Sequence, residues 1–329
     1  MIDLTVQSFG KEIEYRRAVL TILSFYSHVK EAGKTFLFTD HPEWFSNYLA
    51  DLDVKFIRLT AEKITSMRGE IDFLHRMKIV MIEETFALTN RNILYADSDS
   101  FFTADIKHLT ARLSPDKSFM HLKEYTFEFL RDMALPAGES FRAFLALIES
   151  KTFKLANGEH ITVTSNHASW NAGVMIFHSS HVRFIPDVYA LTDQFFPLTR
   201  NHASEQYAFS IILQENTSLK PCEEVNYHYW YRIKKQVIDQ FLEKNLNKAL
   251  SGRPLQIRVA TVTQWSKNLP DLLAKHELIL ADNSIQAFNK NMFLEGYKWA
   301  IKALLKNPFN SLSFYTDIAY HTKRLFFNN

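Results

Sequence analysis

Asn92-Ile93-Leu94-Tyr95-Ala96-Asp97-Ser98-Asp99-Ser100-Phe101-Phe102 is the stretch on which the fold turns. Asn90-Arg91-Asn92 breaks a preceding helical pattern, and Ile93, Leu94 and Tyr95 are good strand formers. Side chains alternate along a strand, so Asp97 and Asp99 are expected on one side with Ser98 facing away. Two carboxylates at the end of a buried strand make a hard oxygen site for a divalent cation. Without a cation they repel, and one tends to keep its proton. A polar turn after a strand is the plainer reading of the same residues.

Working outward, Ile2–Ser8 reads as a first strand and Ile13–Val29 as a helix stopped by Gly33. Thr35–Thr39 and Val54–Leu59 read as further strands, with a helix opened by Asp40 and Pro42 between them. A helical pattern spans Ile71–Leu88. Such alternation implies an α/β fold with a mostly parallel sheet and helices on both faces. Ligands in these sheets bind beyond the carboxyl ends of the strands, where Gln7, Ser8, Asp97 and Asp99 fall. Neither a G-x-G-x-x-G motif nor a P-loop is present, so a phosphate here needs a cation or basic side chains.

Farther along, Glu139–Glu149 reads as a helix and Thr152–Val163 as a hairpin with a two-residue turn at Asn157-Gly158. Trp170–His178 reads as one strand with a polar entry, and Ser204–Leu213 as a helix with Glu205 and Gln206 in its first turn. Beyond about Asn283 the pattern is helical and rich in phenylalanine.

Composition sets limits. The 329 residues suffice for one large α/β domain or two small ones. A net charge of +2 provides no field to recruit nucleic acid, so no nucleic-acid partner is expected. The 28 phenylalanines suit a Phe-rich core better than a stacking surface. Cys222 is the only cysteine, which excludes an intrachain disulfide and fits a reducing compartment. With no signal peptide and no apolar run near the ~20 residues of a membrane span, a cytoplasmic location is expected.

Four stretches together resemble the GT-A glycosyltransferases, most closely the family-8-type retaining enzymes. They are Phe73-Leu-His-Arg-Met-Lys78, Tyr95-Ala-Asp-Ser-Asp99, Trp170-Asn-Ala-Gly-Val-Met175 and Glu205-Gln206. The resemblance covers roughly residues 1–235 and implies a Rossmann-like catalytic domain there, with a mainly helical extension over 236–329. It implies transfer of a hexose from a nucleoside-diphosphate sugar, UDP-linked in this family, to a glycan or lipid-linked acceptor. Mn²⁺ or Mg²⁺ would be held by Asp97, Asp99 and His228. Gln7, Ser8, Arg76, Lys78, Asp97, Ser98 and Gly173 would meet the donor, and Gln206, Glu205 and Asn171 the reacting sugar. Arg76 and Lys78 lie two apart on a helix and face different ways, so Arg76 is preferred, with a Glu83 pairing as its structural alternative. The chain departs from the family at Glu205, where the family has Asp. It also lacks the Gly and Pro that usually follow the histidine.

Rival readings share these residues. Asp97-Ser-Asp99 is similar to the nucleophile motif of haloacid-dehalogenase-type phosphatases, although that motif normally follows the first strand. A metal-dependent nucleotidyltransferase needs a similar carboxylate pair, and a non-catalytic relative would bind nucleotide sugar without turnover. Phe288, Phe293, Trp299 and Phe309, with Lys302 and Lys306, describe either a packed helical cap or helices in peripheral contact with the inner face of a membrane.

Overall fold

The computed structural model describes residues 1–132 and 138–327. In chain order the first elements are β1 (Ile2–Ser8), α1 (Glu12–His28), β2 (Ala32–Thr39), α2 (Pro42–Phe45), β3 (Val54–Arg58), α3 (Ala61–Arg68), α4 (Arg76–Leu88) and β4 (Ile93–Ala96). Then come β5 (Ser100–Phe102), α5 (Lys107–Thr110), β6 (Lys117–Met120), β7 (Lys123–Thr126), α6 (Phe127–Asp132) and α7 (Glu139–Ser150). The short pair β8 (Phe153–Lys154) and β9 (His160–Ile161) precedes β10 (Ala168–Trp170), β11 (Val174–Phe177), α8 (Ile185–Thr199) and α9 (Ser204–Asn216). β12 (Ser218–Pro221) and β13 (Asn226–His228) are the last strands. Helices follow: α10 (Arg232–Asn245), α11 (Lys248–Ser251), α12 (Leu255–Lys275), α13 (Glu277–Asn289), α14 (Phe293–Lys306) and α15 (Leu312–Phe327).

Seven strands form one mixed, mostly parallel sheet in the order β12-β6-β11-β4-β1-β2-β3, flanked by helices. Parallel pairing links β3, β2, β1 and β4, and also β6 with β12. β11 runs antiparallel to both neighbours, β4 and β6. β4 lies between β1 and β11 and all four of its residues are buried, which is why it reads as an unbroken apolar run. Its Ile93 and Tyr95 share a core with Ile79, Ile82 and Phe86 of α4, Val188 and Leu191 of α8, and Tyr207 and Ile211 of α9. A second cluster packs Met67, Met77 and Met81 against Phe36 and Phe38 of β2.

Several boundaries differ from the sequence reading. β4 ends at Ala96, so Asp97-Ser98-Asp99 is a turn into β5 and not the end of a strand. The Ser100 hydroxyl closes that turn by donating to Asp97 O at 2.9 Å. α1 ends at Val29, where the backbone becomes extended, and Gly33 lies inside β2. Asp40 does not cap α2; its carboxylate accepts from Gly10 N and the Tyr15 hydroxyl instead. α4 begins only at Arg76, after a turn in which Asp72 has φ +51°. The hairpin turn has three residues, since Leu155 N donates to Glu159 O and Gly158, at φ +90°, donates to Leu155 O. The expected strand Trp170–His178 is split: β10 pairs with β7, while β11 enters the main sheet. An Asx turn makes the break, with Asn171 Oδ1 accepting from Gly173 N at 3.0 Å.

The chain forms two compact units. The first comprises residues 1–228 and 248–262. Within it the buried Arg258 guanidinium donates to the carbonyls of Tyr48 and Ala50 at 2.5 and 2.7 Å. The second comprises residues 229–247 and 263–329 and is helical. Its core includes Leu280, Ala300, Ala303 and Phe314, and Phe288 stacks on His321. Among the described residues no helix is long and apolar enough to cross a membrane.

Candidate active site

The site begins where β4 stops. Asp97 N donates to Gly173 O at 2.7 Å, which extends the β4–β11 ladder by one bond and brings the Asp97-Ser98-Asp99 turn to the Asn171-Gly173 turn. The other side of the turn is fixed by α1, whose Thr21 hydroxyl lies 2.9 and 2.7 Å from the carbonyls of Ser98 and Ser100. β13 pairs antiparallel with β5, opposing His228 to Ser100. Three segments far apart in sequence thereby deliver Asp97, Asp99 and His228 to one point. One potential ligand atom from each lies within 4.8 Å of the others.

The hydrogen bonds around Asn171 orient the His228 ring. Asn171 Oδ1 accepts from Gly173 N at 3.0 Å, and its Nδ2 donates to Glu124 Oε1 at 3.1 Å. The carboxamide orientation is therefore fixed, and Oδ1 can only accept from His228 Nδ1, 2.9 Å away. With Nδ1 donating to Asn171, Nε2 faces Asp99 Oδ1 at 3.1 Å and Asp97 Oδ2 at 3.9 Å, and in the neutral ring it would offer them a lone pair. Three electron-pair donors facing one another is an arrangement that a cation satisfies. Orienting a ligating imidazole through its other nitrogen is how metal sites hold their histidines.

Charge agrees with this. Lys78 is buried, with Nζ 3.2 Å from Glu205 Oε1, 3.5 Å from Asp97 Oδ2 and 3.2 Å from Ala172 O. Burial pulls the Lys78 ammonium down, but the Asp97 and Glu205 carboxylates outweigh it and hold the group above its ordinary value. Three carboxylates (Asp97, Asp99 and Glu205) against one ammonium leave two negative charges for a divalent ion to balance. The Tyr95 hydroxyl donates to Asp97 Oδ1 at 2.6 Å, and burial with this partner pushes the phenol well above its ordinary value.

A cleft of about 350 Å³ is lined among others by Gln7, Ser8, Gly10, Lys11, Leu74 and Ser98, the last of which stands between the two aspartates in the turn. Ser8 Oγ and Glu205 Oε2 are buried and have no hydrogen-bond partner among the described residues. Unpaired buried polar atoms are costly.

No protein-family model and no curated protein matches the chain. Among solved structures it is similar to the galactosyltransferase LgtC in complex with donor and acceptor sugar analogs, at 12% identity and TM-score 0.43, over 66% of this chain and 73% of that one. It is also similar to mouse xyloside xylosyltransferase 1 in its apo form, at 14% identity and TM-score 0.42, over 67% of this chain and 85% of that one. The glycosyltransferase GlyE of Streptococcus pneumoniae TIGR4 matches at 13% identity and TM-score 0.41, over 75% of this chain and 51% of that one.

Arg76 and Lys78 diverge, with Lys78 turned toward the cation cluster. Arg76 makes a two-point pair with Asp193 at 2.8 and 3.2 Å and lies over the Tyr189 ring, while Lys78 lies against the carboxylates. Glu83, the partner weighed for Arg76, accepts from the Tyr189 hydroxyl instead. Gln206 does not stand alone: its Oε1 accepts from Ala172 N, and its Nε2 donates to Glu124 and Ser169. Glu124 escaped the sequence reading. It accepts from Asn171, Ser169 and Gln206, and so supports the carboxamide that orients His228. A single Glu in a short strand carries no local signal. Asp187 accepts from Ala156 N at the hairpin loop.

Tyr15 is buried and donates to Asp40 at 2.9 Å. Burial, then the Asp40 hydrogen bond and charge, push its phenol up to about 12. The folded protein thus keeps a proton that the unfolded chain loses at its ordinary value of 10.0. That stabilisation is complete below the unfolded value and is lost as pH climbs toward 12. Thermal unfolding between these limits is expected to fall less steeply for Tyr15→Phe than for the wild type; parallel curves would disprove the assignment.

Proposed function

We propose that this protein is a divalent-cation-dependent glycosyltransferase that uses a nucleoside-diphosphate sugar, UDP-linked, and transfers a hexose to a glycan or lipid-linked acceptor. One observation carries the reading: Asp97, Asp99 and the Nε2 lone pair of His228 converge beside a cleft at the carboxyl ends of β1 and β4. In this reading Asp97, Asp99 and His228 hold Mn²⁺ or Mg²⁺, and the imidazole favours Mn²⁺. The chemistry such a cation supplies is neutralisation of charge developing on the departing diphosphate.

The chain's own residues do the rest. Asn171, supported by Glu124 and Gln206, keeps the His228 proton on Nδ1 and its lone pair toward the carboxylates. Lys78 fixes Asp97 and Glu205 and cancels one of their charges. Ser8 Oγ serves a ribose hydroxyl and Glu205 Oε2 a sugar hydroxyl, each an unpaired buried oxygen. Retention of configuration is part of the proposal, since Glu205 and Asp187, carboxylates that an inverting mechanism could use as a base, are both engaged, Glu205 with Lys78 and Asp187 with Ala156 N. The matching location is cytoplasmic, with peripheral contact at the inner face of a membrane.

Calorimetric titration of UDP with and without Mn²⁺ tests this. Binding is expected to require Mn²⁺ and to weaken by about 100-fold or more in Asp99→Asn. The fold should survive this change, because an Asn carboxamide can donate to His228 Nε2. Failure of UDP, GDP, CDP and ADP alike to bind in the presence of Mn²⁺ would overturn the proposal.

A further inference from the structure

Glu14, in the first turn of α1, lines the same cleft as Ser8 and Ser98 without belonging to the cation cluster. β1 passes into α1 through Phe9, Gly10 and Lys11, and Gly10 takes φ +90° to make the turn. Glu14, Arg17 and Thr21 then recur at helical spacing, so one stripe of α1 faces the Asp97-Ser98-Asp99 turn. Thr21 meets that turn at the Ser98 carbonyl, 2.9 Å away. Glu14 meets it at the Ser98 hydroxyl, which donates to Glu14 Oε2 at 3.4 Å. The other oxygen, Oε1, accepts from Arg17 Nη1 at 2.7 Å. The Arg17 side chain is 7% exposed and that of Glu14 33%. A buried guanidinium thus holds the carboxylate in place and cancels its charge, while Oε2 keeps acceptor capacity on the cleft side.

A carboxylate selects what lies against it. It repels phosphate and accepts from O–H or N–H groups. Ser8 Oγ lines the same cleft; Ser8 is 2% exposed, and this oxygen has no hydrogen-bond partner among the described residues. A hydroxyl can donate or accept, so Glu14 and Ser8 together suit a pair of neighbouring hydroxyls. Position says which pair. With the diphosphate at Asp97, Asp99 and His228, the next group along a nucleoside diphosphate is the ribose, and Ser98 links those aspartates to Glu14.

We infer that Glu14 recognises the ribose of the donor, with Oε2 accepting from one hydroxyl of the 2′,3′-diol and Ser8 Oγ meeting the other. The inference rests on the nucleoside-diphosphate reading and adds a specificity to it, for ribonucleotides over deoxyribonucleotides. A site that hydrogen-bonds a hydroxyl discriminates against the analogue lacking it, because its own polar group is left unpaired. The plainer role for Glu14, an i,i+3 ion pair on a helix, gives no such discrimination.

Calorimetric titration of UDP, 2′-deoxy-UDP and 3′-deoxy-UDP in the presence of Mn²⁺ tests it. The wild type is expected to bind UDP about 10–100-fold more tightly than either analogue. The preference over one analogue should vanish in Glu14→Ala, and the preference over the other in Ser8→Ala. Glu14→Gln keeps an acceptor for Arg17 and should weaken the same preference as Glu14→Ala at an unchanged melting temperature, which separates recognition from folding. Equal affinity of the wild type for all three diphosphates overturns the inference and leaves the nucleotide site standing. So do Glu14 variants that weaken UDP and both analogues by one common factor, the behaviour of a purely structural ion pair. Failure of every nucleoside diphosphate to bind, with GDP, CDP and ADP tried alongside, overturns the nucleotide reading and this inference with it.

Discussion

Gly173→Ala is expected to abolish cation-dependent nucleotide binding, matching His228→Ala, at Mn²⁺ concentrations that saturate the wild type. A Cβ at position 173 would sit 1.9 Å from His228 Cε1 and 2.3 Å from Nδ1. The ring is buried and held by β13 pairing to β5, so it cannot retreat as a surface side chain could. It must rotate, losing the Asn171 bond that places the proton on Nδ1 and the alignment of Nε2 with Asp97 and Asp99. Loss of an orienting partner alone costs about 10–100-fold in metal affinity, and loss of the ligand costs more. Overpacking should also lower stability by about 1–3 kcal/mol, leaving a folded protein. Mn²⁺ and UDP titrations on folded Gly173→Ala are decisive: wild-type affinity would mean that His228 plays no part in the site.

The resemblance placed Gly173 near the donor, yet its role against His228 was not legible. Which residue fills the space left by a missing Cβ depends on the β13–β5 pairing, and nothing local encodes that pairing. What was legible follows from local periodicity. The buried run Ile93–Ala96, the helix Glu12–His28 and the strands before and after it announce a largely parallel sheet, and the sheet is there. The antiparallel insertion of β11 was not legible, because residue pattern does not report strand direction. Lys78 was passed over for the same kind of reason. Two residues apart on a helix settles that Arg76 and Lys78 diverge, but not which one turns inward. Asp193, which holds Arg76 aside, is 117 residues away.

Lys78→Met is expected to lower the free energy of unfolding by about 3–5 kcal/mol, because removing one partner of a buried pair strands the other. Lys78 is 5% exposed and Glu205 3%, so solvent cannot replace the ammonium. Glu205 Oε2 already lacks a partner, and Oε1 would lose its cation. Asp97 is less affected, since the Tyr95 hydroxyl still donates to it. Lys78→Met/Glu205→Gln should therefore recover much of the loss, whereas two independent sites would give additive costs. Urea denaturation of the wild type, both single variants and the double variant measures the coupling. A double variant as unstable as the sum of the singles would show that Lys78 and Glu205 do not act as a pair. Without Lys78 the cluster also carries one more uncompensated negative charge, so the double variant isolates the effect of charge from that of folding.

The cation cluster also has a history within each newly made chain. His228 follows Asp99 by 129 residues. At synthesis rates of about 5–20 residues per second, the two carboxylates precede their histidine from the ribosome by roughly 6 to 26 seconds. Until Val174–Phe177 emerges, partway through that interval, β4 also lacks β11, so one edge of the strand that will become the centre of the sheet is open. The cluster is therefore complete only when the last strand, β13, has emerged and paired with β5.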